Sequence, residues 1–314
     1  MDNGWDNSQP LLNIGRWKWY RMKNNKKKIF IAWCIIPTLI LFILFMVYPI
    51  IKGFSMSMYS WGGLSDNAKF IGFDNFKTLF ADEYFMKALK NTAFLLVVFP
   101  VVTIIFSLLL AIFLTQGKLR EKNFYRLIFF FPNVLSMVVI GVLFTYIYDP
   151  SIGILNSFFG SIGLDRLQLV WLGDPKTVLW ALAMAMVWQA VGYYMVIYMA
   201  GLDGIPPELY EVADIEGASF WQKFRYVTLP MIWEIVRVTL VFFITGVFNL
   251  SFIFVKVMTN GGPDGNSEVL LTYMYKQAFV NSNYGYAMAI GVVIFIMAVG
   301  LALLLNRLTK VKEE

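Results

Sequence analysis

Few side chains in this 314-residue chain have the means to do chemistry. There is no histidine and one cysteine, Cys34, set inside an apolar run. No Cys/His metal centre and no internal disulfide can be built. No convergent pair of acids lies within the apolar runs to support acid–base catalysis. No phosphate-cradling G-x-x-x-x-G-K-[ST] loop is present either. The chain is expected to bind no metal or cofactor and to catalyse no reaction itself. What remains is recognition, and two places carry it.

The first is a set of polar and aromatic residues inside long apolar runs. MVWQAVGYYMVIY holds Trp188, Gln189, Tyr193 and Tyr194, and TGVFNLSFIF holds Thr245, Asn249, Ser251 and Phe252. Gln189 and Tyr193 are four apart and share a helical face, as do Thr245, Asn249 and Phe252. An aromatic ring beside an amide or hydroxyl suits a sugar: the ring covers a C–H face and the polar group takes hydroxyls. The same residues would serve equally as hydrogen bonds between helices. Trp188, Gln189, Tyr193, Thr245, Asn249, Ser251 and Phe252 are the candidate solute contacts.

The second place is ELYEVADIEGASFWQKFRYVTLP, residues 208–230, dense in charge between two apolar runs. Pro206 and Pro207 precede it where a helix can start, and Glu208, Glu211, Asp214 and Glu216 favour the N-terminal part of a helix. Gly217 interrupts, and Phe220, Trp221 and Phe224 then form an apolar stripe. The pattern predicts helix, sharp turn, helix along a membrane surface. A docking surface and a solvated loop with a helical kink are both compatible with it.

The rest of the chain must position these residues. Hydrophobic residues make up 59% and charged residues 15%, against roughly 45–50% and 25% in soluble domains. That is the composition of an all-α protein that crosses a membrane several times. A span needs roughly 20 apolar residues, and six runs qualify: 29–51, 92–115, 127–148, 178–201, 231–258 and 286–306. In lipid their backbone groups must be bonded internally, so each is read as a helix.

Lysine and arginine give the orientation. Residues 1–28, 116–126, 202–230 and 307–314 hold 7, 4, 2 and 3 of them. The alternate segments 52–91, 149–177 and 259–285 hold 5, 2 and 1. By the positive-inside rule both termini are cytoplasmic: a basic N-terminal segment (1–28), a six-span domain (29–306) and a tail (307–314). The net charge of +6 clusters beside apolar runs, so it reports topology and not nucleic-acid binding.

The outward segments carry their own patterns. Phe70, Phe73, Phe76, Leu79 and Phe80 recur at helical spacing and predict an interfacial amphipathic helix. TNGGPDGN at 259–266 is a turn signal. Glu234 and Arg237 are placed to pair with each other, and Lys256 to snorkel.

The spacing in the charged loop resembles a known pattern. Glu211-Val-Ala213, three residues, Gly217, nine residues, then Val227-x-Leu229-Pro230 is similar to the EAA loop of ABC importer permeases: Glu-Ala-Ala, three residues, Gly, nine residues, Ile-x-Leu-Pro. Val212 and Val227 are conservative departures. GLDGIPPELYEVADIEGAS (201–219), FIGFDNF (70–76), NTAF (91–94), FFPNVLS (130–136) and TNGGP (259–263) resemble the carbohydrate-uptake branch, of the maltose and glycerol-3-phosphate type. They follow in the same order along most of the chain.

The resemblance implies a type I importer permease fold with a cytoplasmic coupling helix between spans 4 and 5, within loop 202–230. Glu211 and Gly217 match the motif and would carry docking on a cytoplasmic ATPase dimer, which would bind ATP and Mg. Ala213, Asp214, Glu216 (where the family more often has aspartate), Leu229 and Pro230 are the other coupling residues the resemblance implies. A second permease, making a heterodimer, and an extracellular or lipid-anchored binding protein that delivers the sugar are implied too. In the similar permeases, residues aligned with Gln189, Tyr193 and Ser251 line the sugar site. The absence of a deep basic residue favours a neutral sugar over the alternative, a glycerol phosphate. A self-contained secondary transporter, from a different class, would favour inverted half-repeats with broken helices, and none is evident.

Overall fold

The computed structural model describes residues 24–63, 67–117 and 120–309, with backbone only for 24–28. Most of the basic N-terminal segment and of the C-terminal tail, read above as cytoplasmic, lies outside the described residues. The chain divides into two units, Met1–Lys52 and Gly53–Glu314. In the first, α1 (Asn24–Phe42) continues through a π-helical stretch at Ile43–Val47 into α2 (Tyr48–Met56), which ends just inside the second unit.

The second unit holds the remaining elements. A two-residue hairpin, β1 (Tyr59–Ser60) with β2 (Lys69–Phe70), pairs Tyr59 with Phe70. Then come α3 (Asp74–Ala81), α4 (Glu83–Gln116), α5 (Lys122–Val134), α6 (Met137–Ile147) and α7 (Ile154–Ser161). They are followed by α8 (Val178–Asp203), α9 (Pro207–Ile215), α10 (Phe220–Lys223), α11 (Leu229–Met258), α12 (Leu270–Tyr275) and α13 (Tyr284–Leu308).

Among the described residues, five helical stretches are long and apolar enough to cross a membrane, and the count is six if a bent pair is one span. The bent pair departs from the expected continuous helix over 127–148. α5 and α6 meet at 99°. Pro132 has no N–H to give the helix, and Leu135 and Ser136 are extended before the chain resumes at Met137. FFPNVLS is the sequence of this break.

The second span also begins earlier than its apolar run. Asp82 caps α4, accepting from the Tyr84 and Phe85 backbone N–H groups at 2.9 and 3.4 Å. α3 likewise starts at Asp74, so Phe70 belongs to the hairpin and not to the amphipathic helix.

The motifs of segments 52–91 and 259–285 prove to be clamps. Asn75 of FIGFDNF is buried and donates through Nδ2 to the Ser57 and Tyr59 carbonyls at 2.8 and 3.0 Å, holding the hairpin on α3. Asn91 of NTAF donates to the Asn266 and Glu268 carbonyls at 3.0 and 2.9 Å. Thr92 accepts the Leu270 N–H at 3.0 Å. Two adjacent residues of α4 thus seat the TNGGPDGN turn, a segment some 175 residues away.

Asp82 ties the same end together. Besides capping α4 it accepts the hydroxyls of Tyr273 in α12 and Tyr286 in α13. Burial pushes its carboxyl up, but the two tyrosine hydroxyls and two backbone N–H groups together hold it below the usual carboxylate value. A lowered folded value means this contribution is complete above the unfolded carboxylate pKa of about 3.9 and is lost as pH falls through the folded one. Asp82→Asn is therefore expected to cost roughly 1–3 kcal/mol at neutral pH. Thermal unfolding of the two forms across pH checks it, and the gap should close only under strong acid.

α4, α8 and α11 form the centre, with buried Leu95, Phe99, Leu182, Met186, Phe243 and Val247 in one cluster. Polar side chains bond across the helices: Ser107 Oγ donates to the Val191 carbonyl at 2.9 Å, and Tyr198 and Thr239 hydroxyls meet at 2.8 Å. α4 leaves Val97, Val101, Ile105, Leu109 and Phe113 exposed, a face made for lipid or another apolar helix. Glu234 and Arg237 pair at 2.6 Å, and Lys256 donates to the neutral Asn260 side chain at 2.8 Å, so each of these charges has a local partner.

Candidate functional site

Two sites emerge in the second unit, one midway along the helices and one at their 203–230 end. The first is a cavity of about 270 Å³ between α5, α8 and α11. Gln189 and Tyr193 reach it from α8, and Asn249 and Gly246 from α11. Asn133, at the α5–α6 break, completes a set of three amides, with Tyr194, Phe99 and Phe243 as aromatic walls. Tyr194 stacks on Phe243 with centroids 4.1 Å apart.

The helices are held close here. Gly192 faces the backbone of α5, where a Cβ would overlap the Phe129 carbonyl. Only glycine lets α5 come near enough to set Asn133 beside Gln189. Gln189 is 4% exposed and hydrogen-bonds to none of the described residues, as do Asn133 and Asn249. A buried amide of this kind leaves two donors and an acceptor for a bound solute or water. None of the lining side chains is charged.

The structure brings together three of the seven expected solute contacts: Gln189, Tyr193 and Asn249. The other four point elsewhere. Trp188 lies edge-on to Phe144, with centroids 5.4 Å apart. Thr245 Oγ1 donates to its own helix at the Phe242 carbonyl, 3.0 Å away. Ser251 is buried and donates to the Phe248 carbonyl at 3.2 Å. Phe252 packs near Tyr275, at 5.8 Å. Ser251 lies two residues past Asn249, about 200° round the helix, which takes it to the opposite side. Asn133 and Phe243 were not singled out, and Tyr194 was noted in its run but not counted as a contact; the signal for Asn133 was the proline before it in an apolar run. Replacing Gln189 with Leu removes the amide at constant bulk, and a fall in apparent solute affinity of about 3–10-fold is expected from transport kinetics.

A larger cavity of about 640 Å³ lies along α4 and Phe220. Its walls are Phe106, Leu109, Leu110, Ile112 and Phe113, with Gln116 the polar side chain among them. It suits an apolar neighbour and holds none of the expected solute contacts.

The second site is the charged segment. α9 opens with Pro207 at its first turn and ends in a left-handed residue, Gly217, at φ +71°. The Ala218 N–H donates to the Ala213 carbonyl at 2.9 Å and the Gly217 N–H to Asp214 at 3.1 Å, which is a Schellman closure. Ser219 then caps α10, exchanging hydrogen bonds with Gln222. Asp214 pairs with Lys223 at 2.6 Å, bracing one helix on the other. Glu211 and Glu216 are exposed, Ala213 is half-buried, and Leu229 and Pro230 start α11. The apolar tips Val212, Ile215 and Trp221 are exposed at 57%, 84% and 68%.

This helical pair is fastened to the bundle through Tyr210, and a further ion pair joins two helices of the bundle at the same end. The Tyr210 hydroxyl meets Thr228 Oγ1 at 3.0 Å, at the root of α11. It also accepts from Gln116 Nε2, at the end of α4, at 3.3 Å. Lys122 of α5 pairs with Asp203 of α8 at 3.3 Å. α4, α5, α8 and α11 all take part in these contacts, and all four line the amide cavity, together with Met137 of α6.

Comparison with known proteins agrees with this architecture. Residues 103–313 match the family model described as the binding-protein-dependent transport system inner membrane component. The chain is 38% identical to the probable ABC transporter permease protein YurN of Bacillus subtilis (strain 168), covering 92% of this chain and 99% of that one. It is 34% identical to the diacetylchitobiose uptake system permease protein NgcF of Streptomyces coelicolor, covering 96% and 88%. Among solved structures, a bacterial alginate ABC transporter in complex with an alginate pentasaccharide-bound periplasmic protein superposes with a TM-score of 0.78. Identity there is 26%, over 92% of this chain and 96% of that one.

Proposed function

The chain belongs to the family of binding-protein-dependent transport system inner membrane components, and from that premise we propose that it is the permease subunit through which an ABC importer takes up a sugar or oligosaccharide. It is a multi-pass membrane transport subunit and not an enzyme. The observation that carries the finer reading is the braced pair α9–α10, exposed on its far side and tied through Tyr210 to α4 and to the root of α11, both of which line the amide cavity. An ATPase seated on Val212, Ile215 and Trp221 would move Tyr210, and through Gln116 and Thr228 would move α4 and α11. α4 carries Phe99 and α11 carries Asn249, so the cavity opens and closes with the loop. The ATPase states must grip the loop differently for any bias to be transmitted.

On this reading the 203–230 end and both termini lie in the cytoplasm, and ATP and Mg are bound by a separate ATPase dimer. The cavity is partly open, which fits a second permease closing it. An external binding protein would deliver the sugar at the end built around Asp82. Amides and rings without a charged side chain fit a neutral sugar. The test is to tag the chain in its native membrane, solubilise it gently and identify what co-purifies. An ATPase and a second permease in stoichiometric amounts, with ATP-driven sugar uptake on reconstitution, is the expected result. A lone chain, or a homo-oligomer without an ATPase, overturns the reading.

A further inference from the structure

The groove between α5 and α8 holds a second cavity below the first. It too measures about 270 Å³ and is lined by Asn123, Arg126, Leu127 and Phe130 of α5 and Val196 of α8. The two cavities follow one another along one side of the helix pair. At about 100° per residue, Asn133, Phe130 and Arg126 fall within about 60° of each other on α5, and Gln189, Tyr193 and Val196 within about 60° on α8. Arg126 stands seven residues from Asn133, roughly 10 Å toward the end that carries Asp203 and α9–α10. Lys122, one turn further, is occupied by Asp203. Arg126 forms no ion pair among the described residues, is exposed, and lines the lower cavity.

We propose that this furrow is the inner half of the solute path on this subunit. A sugar leaving Gln189, Asn133 and Asn249 passes the ring of Phe130 and is received by Arg126 and Asn123 before release. The inference rests on the importer reading and adds the exit. A sugar moving through an apolar furrow needs polar partners at intervals it can bridge. The amide set and Arg126 are about 10 Å apart, the length of a disaccharide, so one end can be received before the other is let go. Phe130 covers a C–H face on the way. Arg126 offers five N–H donors and no acceptor, so it takes hydroxyl or carboxylate oxygens and repels cations.

The test uses the complete importer in proteoliposomes, with Cys34→Ser as the parent. Phe130→Cys and Arg126→Cys are exposed to a charged, membrane-impermeant thiosulfonate from the ATPase side, beside Phe131→Cys, which lies about 100° round α5 and is exposed. The expected result is that the first two react, that excess sugar slows the reaction, and that modification lowers uptake by about tenfold or more, a barrier change of one tenfold step. Phe131→Cys should keep its uptake after the same treatment. Where Phe130→Cys fails to insert, Arg126→Ala serves: sugar carried per ATP hydrolysed should fall about fivefold, and Arg126→Lys should restore most of it. Reaction at 126 and 130 only with a lipid-soluble maleimide, with no protection by sugar and uptake intact, would make this face lipid-exposed and overturn the proposal. If the parent complex shows no ATP-driven uptake, the importer reading fails first, and that outcome is distinct.

Discussion

Gly217→Val is expected to abolish coupling: sugar uptake falls by tenfold or more, while the protein is still inserted and still made in normal amounts. The cause is the backbone and not bulk. No atom lies within 4 Å of the place a Cβ would take at 217, so within this chain a larger side chain has room. What it lacks is the conformation. Gly217 sits at φ +71°, where an L-residue costs roughly 1–2 kcal/mol and a β-branched one more. The Schellman closure would give way. With it would go the angle between α9 and α10 and the Asp214–Lys223 brace. A contact surface that must fit a partner loses its shape although the bundle above is untouched. Gly217→Asn, which tolerates the left-handed region, should keep most of the uptake. The ratio of sugar transported to ATP hydrolysed in proteoliposomes measures both. Unchanged coupling in Gly217→Val would separate the turn from function.

Gly192→Ala is expected to do greater damage by a different route. Here the obstruction is the carbonyl of Phe129 on a neighbouring helix, backbone against backbone, with no side chain that can swing aside. Overpacking typically costs about 1–3 kcal/mol and occasionally more, and a rigid contact belongs at the upper end. α5 would be pushed off α8, carrying Asn133 away from Gln189 and opening the furrow. Thermal unfolding in detergent should shift down clearly, and uptake should be lost. Gly246→Ala is the matched control. It lies on the wall of the same cavity, but nothing stands within 4 Å of its added carbon, so folding should survive. If Gly192→Ala unfolds and transports like the parent, the close approach of α5 and α8 is wrong.

Most of the architecture was written where sequence patterns are strongest. Apolar runs of membrane length mark spans because the bilayer leaves the backbone no alternative. The loop 208–230 was legible for a related reason. Its proline start and glycine stop are local signals, and the structure has them in those places; the Ser219–Gln222 cap is equally local but went unread. The break in the third span was less visible. A proline in an apolar run is often absorbed as a kink, and nothing local says that the chain will turn by 99°.

The cavity was half legible. Gln189 and Tyr193 share a face by spacing, but which face of a membrane helix meets its neighbours depends on where backbones touch. Gly192 decides that, by letting α5 lie against it. Trp188, Thr245, Ser251 and Phe252 were polar or aromatic enough to be contacts and proved to be bonded or packed within the bundle. Asn91 and Asn75 show the reverse. They stand in motifs without evident chemistry, and their partners are carbonyls far along the chain, beyond any local pattern.

The central claim is that α9–α10 is where the driving ATPase holds this subunit. Ile215 is its most exposed apolar tip, so the most direct measurement is site-specific crosslinking there. Ile215→Cys in the Cys34→Ser background would carry a short bifunctional thiol reagent in native membranes, with Phe73→Cys, exposed at the opposite end, as control. The account predicts one product joining this chain to an ATPase from position 215, altered in yield by ATP, and none from position 73. An ATPase that co-purifies with the chain yet forms no product with position 215 in any nucleotide state would contradict it.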